Sequence, residues 1–304
     1  MINYKSLAEP SPYLLLVLTT LFWSGNFVLG RAVHEVLSPI ALSFWRWTVA
    51  LLILLPFTAK SLRMQWPLII RNWKILSLLS VLGIANYNTF AYIGLQSTTA
   101  TNAVLMVSIT PVLIVALSFL LFRSHVTSWQ AVGITISLAG VGVIVTQGRL
   151  HSLSGIEINR GDAWIMASVL SWAVYSVCLK WRPVELRPLS FLSAIIFIGV
   201  LILLPFYLWN IAVGPPLELT AVTIGSIAYV GLFPSVLAYI FWNRAVEELG
   251  ANRTGVFLHL IPAFGAIQSM LFLGERLRLY HFVGIALIGL GLYLTTARGQ
   301  LVKG

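Results

Sequence analysis

Thr19, Trp23 and Asn26 follow one another at intervals of four and three residues, and so do Ser168, Trp172 and Tyr175. In a helix that spacing puts each set on a single face. A face that combines hydroxyl or amide groups with indole and phenol rings can hold a small amphipathic molecule by stacking and hydrogen bonding. Asn86, Tyr87, Tyr229 and Tyr239 carry the same chemistry into other apolar runs. Together these residues form a candidate substrate-binding wall.

Arg46 is the only basic residue deep inside an apolar run. Burying its charge is expensive unless it is paired or hydrated. It serves either to attract a substrate carboxylate or, as a structural group, to hydrogen-bond backbone carbonyls. His259 likewise has two readings, a hydrogen-bonded packing residue or a proton carrier. Pro111 and Pro262 each remove a backbone bond to the carbonyl four residues earlier, at Val107 and Leu258. Freed carbonyls take water, a side chain or a substrate, so these positions are gates or plain geometric kinks.

Other chemistry is missing. All nine acids fall in loops or at the ends of apolar runs, which leaves no carboxylate at mid-depth for a proton or sodium relay. There is no phosphate-binding Gly-rich loop, no His-x-x-x-His or Cys-x-x-Cys pair, and no nucleophile with an adjacent base. Neither an enzyme nor a metal or organic cofactor is expected. Cys178, the only cysteine, has nothing to pair with and reads as a small packing residue.

The elements that must position these groups follow from composition. Of 304 residues, 59% are hydrophobic and 9% charged, with mean hydropathy +0.92. Soluble domains carry about 25% charged residues, so this chain is an all-α integral membrane protein. A crossing takes roughly 20 apolar residues. Ten such runs occupy 12–30, 39–58, 73–95, 100–122, 127–146, 162–180, 188–209, 220–243, 251–273 and 279–297, here called spans one to ten. The longest connection, 147–161, leaves no room for a soluble domain. The first run lacks a small-x-small cleavage site and should remain as a span.

With the N-terminus inside, 13 of the 19 basic residues fall on the inner side, five on the outer side, and Arg46 within span two. That bias puts both termini in the cytoplasm of a cell with the protein in its inner (plasma) membrane. The net charge of +10 is dispersed over short loops rather than gathered on one face, which argues against nucleic acid as a partner.

The chain is also written twice. Leu52-Ile53-Leu54-Leu55-Pro56-Phe57 recurs unchanged as Leu201-Ile202-Leu203-Leu204-Pro205-Phe206, an offset of 149 that also pairs Trp23 with Trp172 and Pro39 with Pro188. After two inserted residues, an offset of 151 pairs Ala100 with Ala251, Pro111 with Pro262, Gly133 with Gly284 and Gly140 with Gly291. Prolines and glycines occupy special backbone positions, so their ordered recurrence indicates duplication rather than shared composition. Residues 1–150 form a first five-span repeat and 151–304 a second. Five is odd, so the second enters the membrane from the opposite side. Inverted repeats about a midplane site are the architecture of secondary transporters. The glycines of spans five and ten permit close helix approach, as an internal packing pair or as the contact of a homodimer.

Taken together, Trp23-Ser24-Gly25-Asn26-Phe27, Pro39 with Arg46, Leu237 to Ala245, Pro262, and Leu273-Gly274-Glu275-Arg276 with Gly284 and Gly291 resemble the drug/metabolite transporter superfamily in its ten-span EamA-type branch. The resemblance covers essentially the whole chain. One departure is that the first-half counterpart of Leu-Gly-Glu reads Phe122-Arg123-Ser124. The resemblance implies a helical basket around a central cavity, spans five and ten at its edge, and export of amino acids or related small metabolites. YddG-type exporters of aromatic amino acids are its nearest suggestion. The partners are then a small-molecule substrate and the lipid bilayer, and the scarcity of mid-depth acids favours facilitated uniport. A lipid-linked or nucleotide-sugar carrier of the same superfamily would need a basic groove for phosphate, and only Arg46 is deep enough. A membrane enzyme or sensor would need a catalytic pair or a signalling domain, and neither is apparent.

Overall fold

The computed structural model describes residues 10–33, 36–98, 100–148, 159–214, 217–273 and 278–296. They are almost entirely helical, and no strand occurs among them. Eight helical runs are long and apolar enough to cross a membrane. Spans four and nine are each in pieces. Span four is Ala100–Val107 followed by Thr110–Phe122, and span nine is Ala251–Val256, a single tight turn Phe257–His259, then Leu260–Leu273. Most of the long connection at 147–161, the chain ends, Glu275 and the Gly274–Arg276 part of the Leu-Gly-Glu element lie outside the described residues.

Local sequence explains where the helices start. Span one, Pro12–Ala32, is capped by Ser11, and span two, Pro39–Met64, by Ser38. Pro39 and its counterpart Pro188, which opens span seven at Pro188–Val213, both occupy the first helical turn, where the missing N–H costs nothing. Spans five, Ser128–Val145, and six, Arg160–Cys178, begin with reciprocal capping boxes at Thr127/Gln130 and Asn159/Asp162.

The repeated hexapeptide keeps one inside–outside pattern in both copies. Leu54 and Leu203 are buried, whereas Leu52, Phe57, Leu201 and Phe206 face outward, as a lipid-facing surface requires.

Contacts between the halves obey a two-fold rule. Phe44 stacks on Tyr207, with ring centroids 4.3 Å apart, and Thr58 hydrogen-bonds Ser193 at 3.0 Å. The 149 offset converts one pair into the other. In spans five and ten (Leu279–Thr296) Gly133 faces Gly291 and Gly140 faces Gly284, pairs that the 151 offset again interchanges. Such self-complementary pairing is the signature of two-fold contact. Where counterparts touch each other, the pseudo-axis must pass. Trp23 meets Trp172 edge to face at 4.9 Å, and His259 meets the carbonyl of Ser108 at 2.9 Å.

Gly133, Gly140, Gly284 and Gly291 are thus packed inside one chain, whereas Gly142 and Gly289 face open space. A methyl group on Gly140 would lie 2.7 Å from the Gly284 carbonyl oxygen, but one on Gly142 would meet nothing within 4 Å. Gly140→Val is therefore expected to cost about 1–3 kcal/mol, the usual price of overpacking, and Gly142→Val close to none. Melting of the purified protein in detergent, followed by fluorescence, checks the contrast.

Candidate functional site

The middle of the bundle is a layer of seven rings. Trp23, Trp47, Tyr87, Trp172, Tyr175, Tyr239 and Trp242 come from spans one, two, three, six and eight, and all are buried. Trp172 is the hub, 4.6 Å from Tyr87, 5.0 Å from Tyr175, 5.3 Å from Tyr239 and 5.4 Å from Trp242 between ring centroids. Trp47 packs edge to face on Tyr239 at 4.9 Å. Edge-to-face and offset contacts are the favourable geometries for aromatic rings, so in this conformation the rings close the centre against one another.

Beside the layer sits Arg46, fully buried. Its Nε donates to Ser235 Oγ at 2.7 Å, one terminal nitrogen to Asn26 Oδ1 at 3.1 Å and Tyr92 Oη at 2.7 Å, and the other to the Pro234 carbonyl at 3.1 Å. Tyr92 Oη in turn donates to Asn26 Oδ1 at 2.6 Å. The guanidinium thereby joins spans one, two, three and eight. Every one of these acceptors is neutral. Hydrogen bonds to a charged group are each worth about 1.5–3 kcal/mol, which is how the cation is held without a carboxylate.

Span eight is shaped for this task. Between Ala221–Gly231 and Ala238–Leu249 it widens into a π-turn, Leu232–Leu237. Pro234 has no N–H for the carbonyl of Val230, and the Ser235 hydroxyl donates to that carbonyl instead, at 2.6 Å. Ser235 Oγ then accepts from Arg46, and the Pro234 carbonyl is shared between Arg46 and the Trp23 indole N–H at 3.0 Å. Span three has a π-turn at the matching place, Ser80–Asn86, between Trp73–Leu79 and Tyr87–Ser97. Its Gly83 carbonyl accepts from Tyr239 Oη at 2.5 Å, and its Leu82 carbonyl from Ser171 Oγ at 2.9 Å. Such turns recur at functional sites because they release carbonyls from the helix ladder.

Open volume lies to one side of the rings. A cavity of about 660 Å³ opens at the cation-rich end, among the loops joining spans four to five, six to seven and eight to nine. Ser176, Asn243 and Gln130 line it, and an ion pair between Arg182 and Glu247 stands on its wall. Tyr175 Oη donates to Asn243 Oδ1 at 2.9 Å, so this bond separates the vestibule from the ring layer.

The sequence-derived candidates divide accordingly. Trp23, Asn26, Arg46, Tyr87, Trp172, Tyr175 and Tyr239 come together. Tyr229 is marginal: half-buried, it packs at a tilt on Phe233 and its hydroxyl lies 3.5 Å from the Phe22 carbonyl. Asn86 makes no hydrogen bond among the described residues. The amide that reaches the rings is Asn88, whose Nδ2 lies 3.4 Å from Tyr239 Oη.

His259 belongs to a different place. Its Nε2 faces the Ser108 carbonyl, which can only accept, and its Nδ1 lies 2.5 Å from Ser137 Oγ. Both ring nitrogens are occupied, tying span nine to spans four and five. The two proline breaks meet at this knot. The Val107 carbonyl freed by Pro111 accepts from Thr110 Oγ1 at 2.5 Å.

Sequence reading passed over Trp47, Asn88, Tyr92, Ser235, Trp242 and Asn243. Two of these had a signal. Asn88 is the counterpart of Tyr239 at the 151 offset, and Trp242 is one helical turn beyond it.

Comparison with known proteins agrees with this architecture. The EamA-like transporter family matches residues 10–146 and again 159–297. An uncharacterized transporter of Bacillus subtilis (strain 168), YyaM, is 28% identical over 95% of this chain and 94% of its own length. A protein of Streptantibioticus cattleyicolor described as a probable terminal-alkyne amino-acid exporter is 27% identical over 93% of this chain and 92% of its own. A solved crystal structure superposes with a TM-score of 0.76 at 18% identity, covering 96% of this chain and 99% of the other, and so shares the fold. With two family matches spanning both halves of a helical bundle organised about an internal two-fold, the chain belongs to the EamA-like transporter family and is a multi-pass membrane transporter.

Proposed function

We propose that this transporter exports amino acids or closely related small amphipathic metabolites by alternating access, as a facilitator running down the substrate gradient. The observation that carries the reading is Arg46, a buried cation bonded only to neutral oxygens and set beside a layer of seven aromatic rings. A substrate carboxylate offers that guanidinium a charge-assisted, two-pronged bond, stronger than those it makes with Asn26 and Tyr92. The rings offer the substrate's side chain an apolar, stackable wall. An amino acid or another small amphipathic carboxylate satisfies both.

The orientation fits export. With both termini in the cytoplasm of a plasma-membrane protein, the arrangement the basic bias supports, the vestibule at the cation-rich end faces inward and receives substrate from the cell. The amino-acid exporter among the relatives supports the substrate class. Uniport is favoured because no acid among the described residues bonds to Arg46 and both nitrogens of His259 are engaged in joining helices.

Counterflow of labelled amino acids in proteoliposomes is the direct test. Flux is expected for one or more amino acids, and replacing Trp23, Trp172 or Tyr175 by alanine should reduce it at least ten-fold. No amino acid supporting flux in the unaltered protein would sink the proposal, and undiminished flux in all three variants would remove the ring layer from the site.

A second experiment addresses coupling. An imposed pH step across the vesicle is expected to drive no uphill accumulation. Accumulation that disappears in His259→Gln would replace uniport by proton coupling.

A further inference from the structure

The two π-turns hold equivalent carbonyls that are used differently. Pro234 in span eight and Gly83 in span three are counterparts at the 151 offset. Trp23 and Trp172 are counterparts at 149, and Asn88 and Tyr239 at 151. The Pro234 carbonyl accepts from the Trp23 indole at 3.0 Å. Under the two-fold, the matching bond would run from the Trp172 indole to the Gly83 carbonyl. That bond is not made: Trp172 Nε1 is buried with no hydrogen-bond partner, and the Gly83 carbonyl is taken by Tyr239 Oη instead.

A buried N–H without a partner carries the full cost of its lost hydration, which a fully packed core would ordinarily avoid. It is explained if the partner is supplied in another state. In inverted-repeat transporters the opposite-facing state arises when the two repeats exchange conformations. The exchange turns each contact of the present state into its counterpart. Trp23 to Pro234 becomes Trp172 to Gly83, and Tyr239 to Gly83 becomes Asn88 to Pro234.

We propose that transport turns over through this exchange of donors at the two π-turn carbonyls: Trp23 on Pro234 and Tyr239 on Gly83 hold the conformation with the vestibule open at the cation-rich end, and Trp172 on Gly83 with Asn88 on Pro234 hold the opposite one. The reason for the wide turns follows. In a regular helix neither carbonyl would be free to change partners. The two tryptophans touch on the pseudo-axis, 4.9 Å apart, so one small rotation of the ring pair carries both halves of the exchange. Gly83 has the space this requires only because it lacks a side chain: a methyl group there would lie 2.5 Å from the Tyr175 ring.

The inference rests on alternating access but not on the substrate class, and its test uses no substrate. A single reporter thiol is placed in the vestibule wall as Ser124→Cys, a half-buried lining position, with the native thiol removed by Cys178→Ser. The rate of labelling by a membrane-impermeant maleimide then reports how often the vestibule is open. Phenylalanine keeps most of the apolar ring and deletes the donor. Trp172→Phe is expected to shift the equilibrium about five-fold toward the open vestibule, and Trp23→Phe about five-fold away from it, as the loss of one hydrogen bond of about 1 kcal/mol implies. Tyr239→Phe should act in the same sense as Trp23→Phe, and the Trp23→Phe/Trp172→Phe double variant should return near the starting ratio. A thiol at Phe27→Cys, half-buried toward the other end of span one, gives the reciprocal readout from the other side should the first reporter fold poorly. Labelling that moves in the same direction for both single variants, or in neither, overturns the proposal. A merely structural role for the two rings does not produce opposite shifts that cancel.

Discussion

A positive charge buried in an apolar bundle, with no negative charge bonded to it among the described residues, is the constraint around which this protein is organised. Arg46 is tolerated because four neutral oxygens from three other spans converge on it. Much of the rest follows from supplying those oxygens. Span eight must widen so that Pro234 can present its carbonyl and Ser235 its hydroxyl. Span one must turn Asn26 inward, and span three must carry Tyr92 far enough along to meet it. A conventional ion pair would have been simpler to fold, but a guanidinium already neutralised has little to offer an arriving anion. Held by neutral oxygens and by the face of the Trp47 ring, 5.0 Å from its guanidinium carbon, it keeps its charge for an arriving anion.

The second organising feature is the internal two-fold, and the two features meet at the ring layer. Contacts far from the axis, such as Phe44 with Tyr207 and Thr58 with Ser193, come in symmetric pairs that fix how the halves dock. Contacts near the axis are unequal: one tryptophan indole is bonded and its counterpart is not, and one π-turn carbonyl takes an indole where the other takes a phenol. Arg46 itself has Ile195 as its counterpart, so the charge belongs to one half only. Symmetric framing with an asymmetric centre is what a machine that alternates between two mirror conformations, yet carries one substrate, has to combine.

Fold class, eight of the spans and the duplication were legible in the sequence because each depends on a one-dimensional signal. Hydropathy marks the spans, and the recurrence of Pro39, Pro111, Gly133 and Gly140 at fixed offsets marks the copies. The helical faces of Trp23 and Trp172 were legible for the same reason. The π-turns were not. They interrupt the regular helical phase, so depth in the run pointed to Asn86, whereas the amide that meets the rings is Asn88, and nothing pointed to Ser235. His259 shows another limit. Its type allowed both packing and proton chemistry, and the partners that engage its ring, the Ser108 carbonyl and Ser137, are distant in sequence. The central cavity implied by family resemblance is, in this conformation, filled by the very rings read as its lining, and the open volume has moved toward the cation-rich end.

The most direct test of the account is whether Arg46 reads a carboxylate. The measurement is competition of a transported amino acid by its own amide, in proteoliposomes containing either the unaltered protein or Arg46→Gln. The account predicts that the amide competes at least ten-fold less well than the acid with the unaltered protein and that Arg46→Gln removes the difference. Equal competition by acid and amide with the unaltered protein, or discrimination that survives in Arg46→Gln, would contradict it.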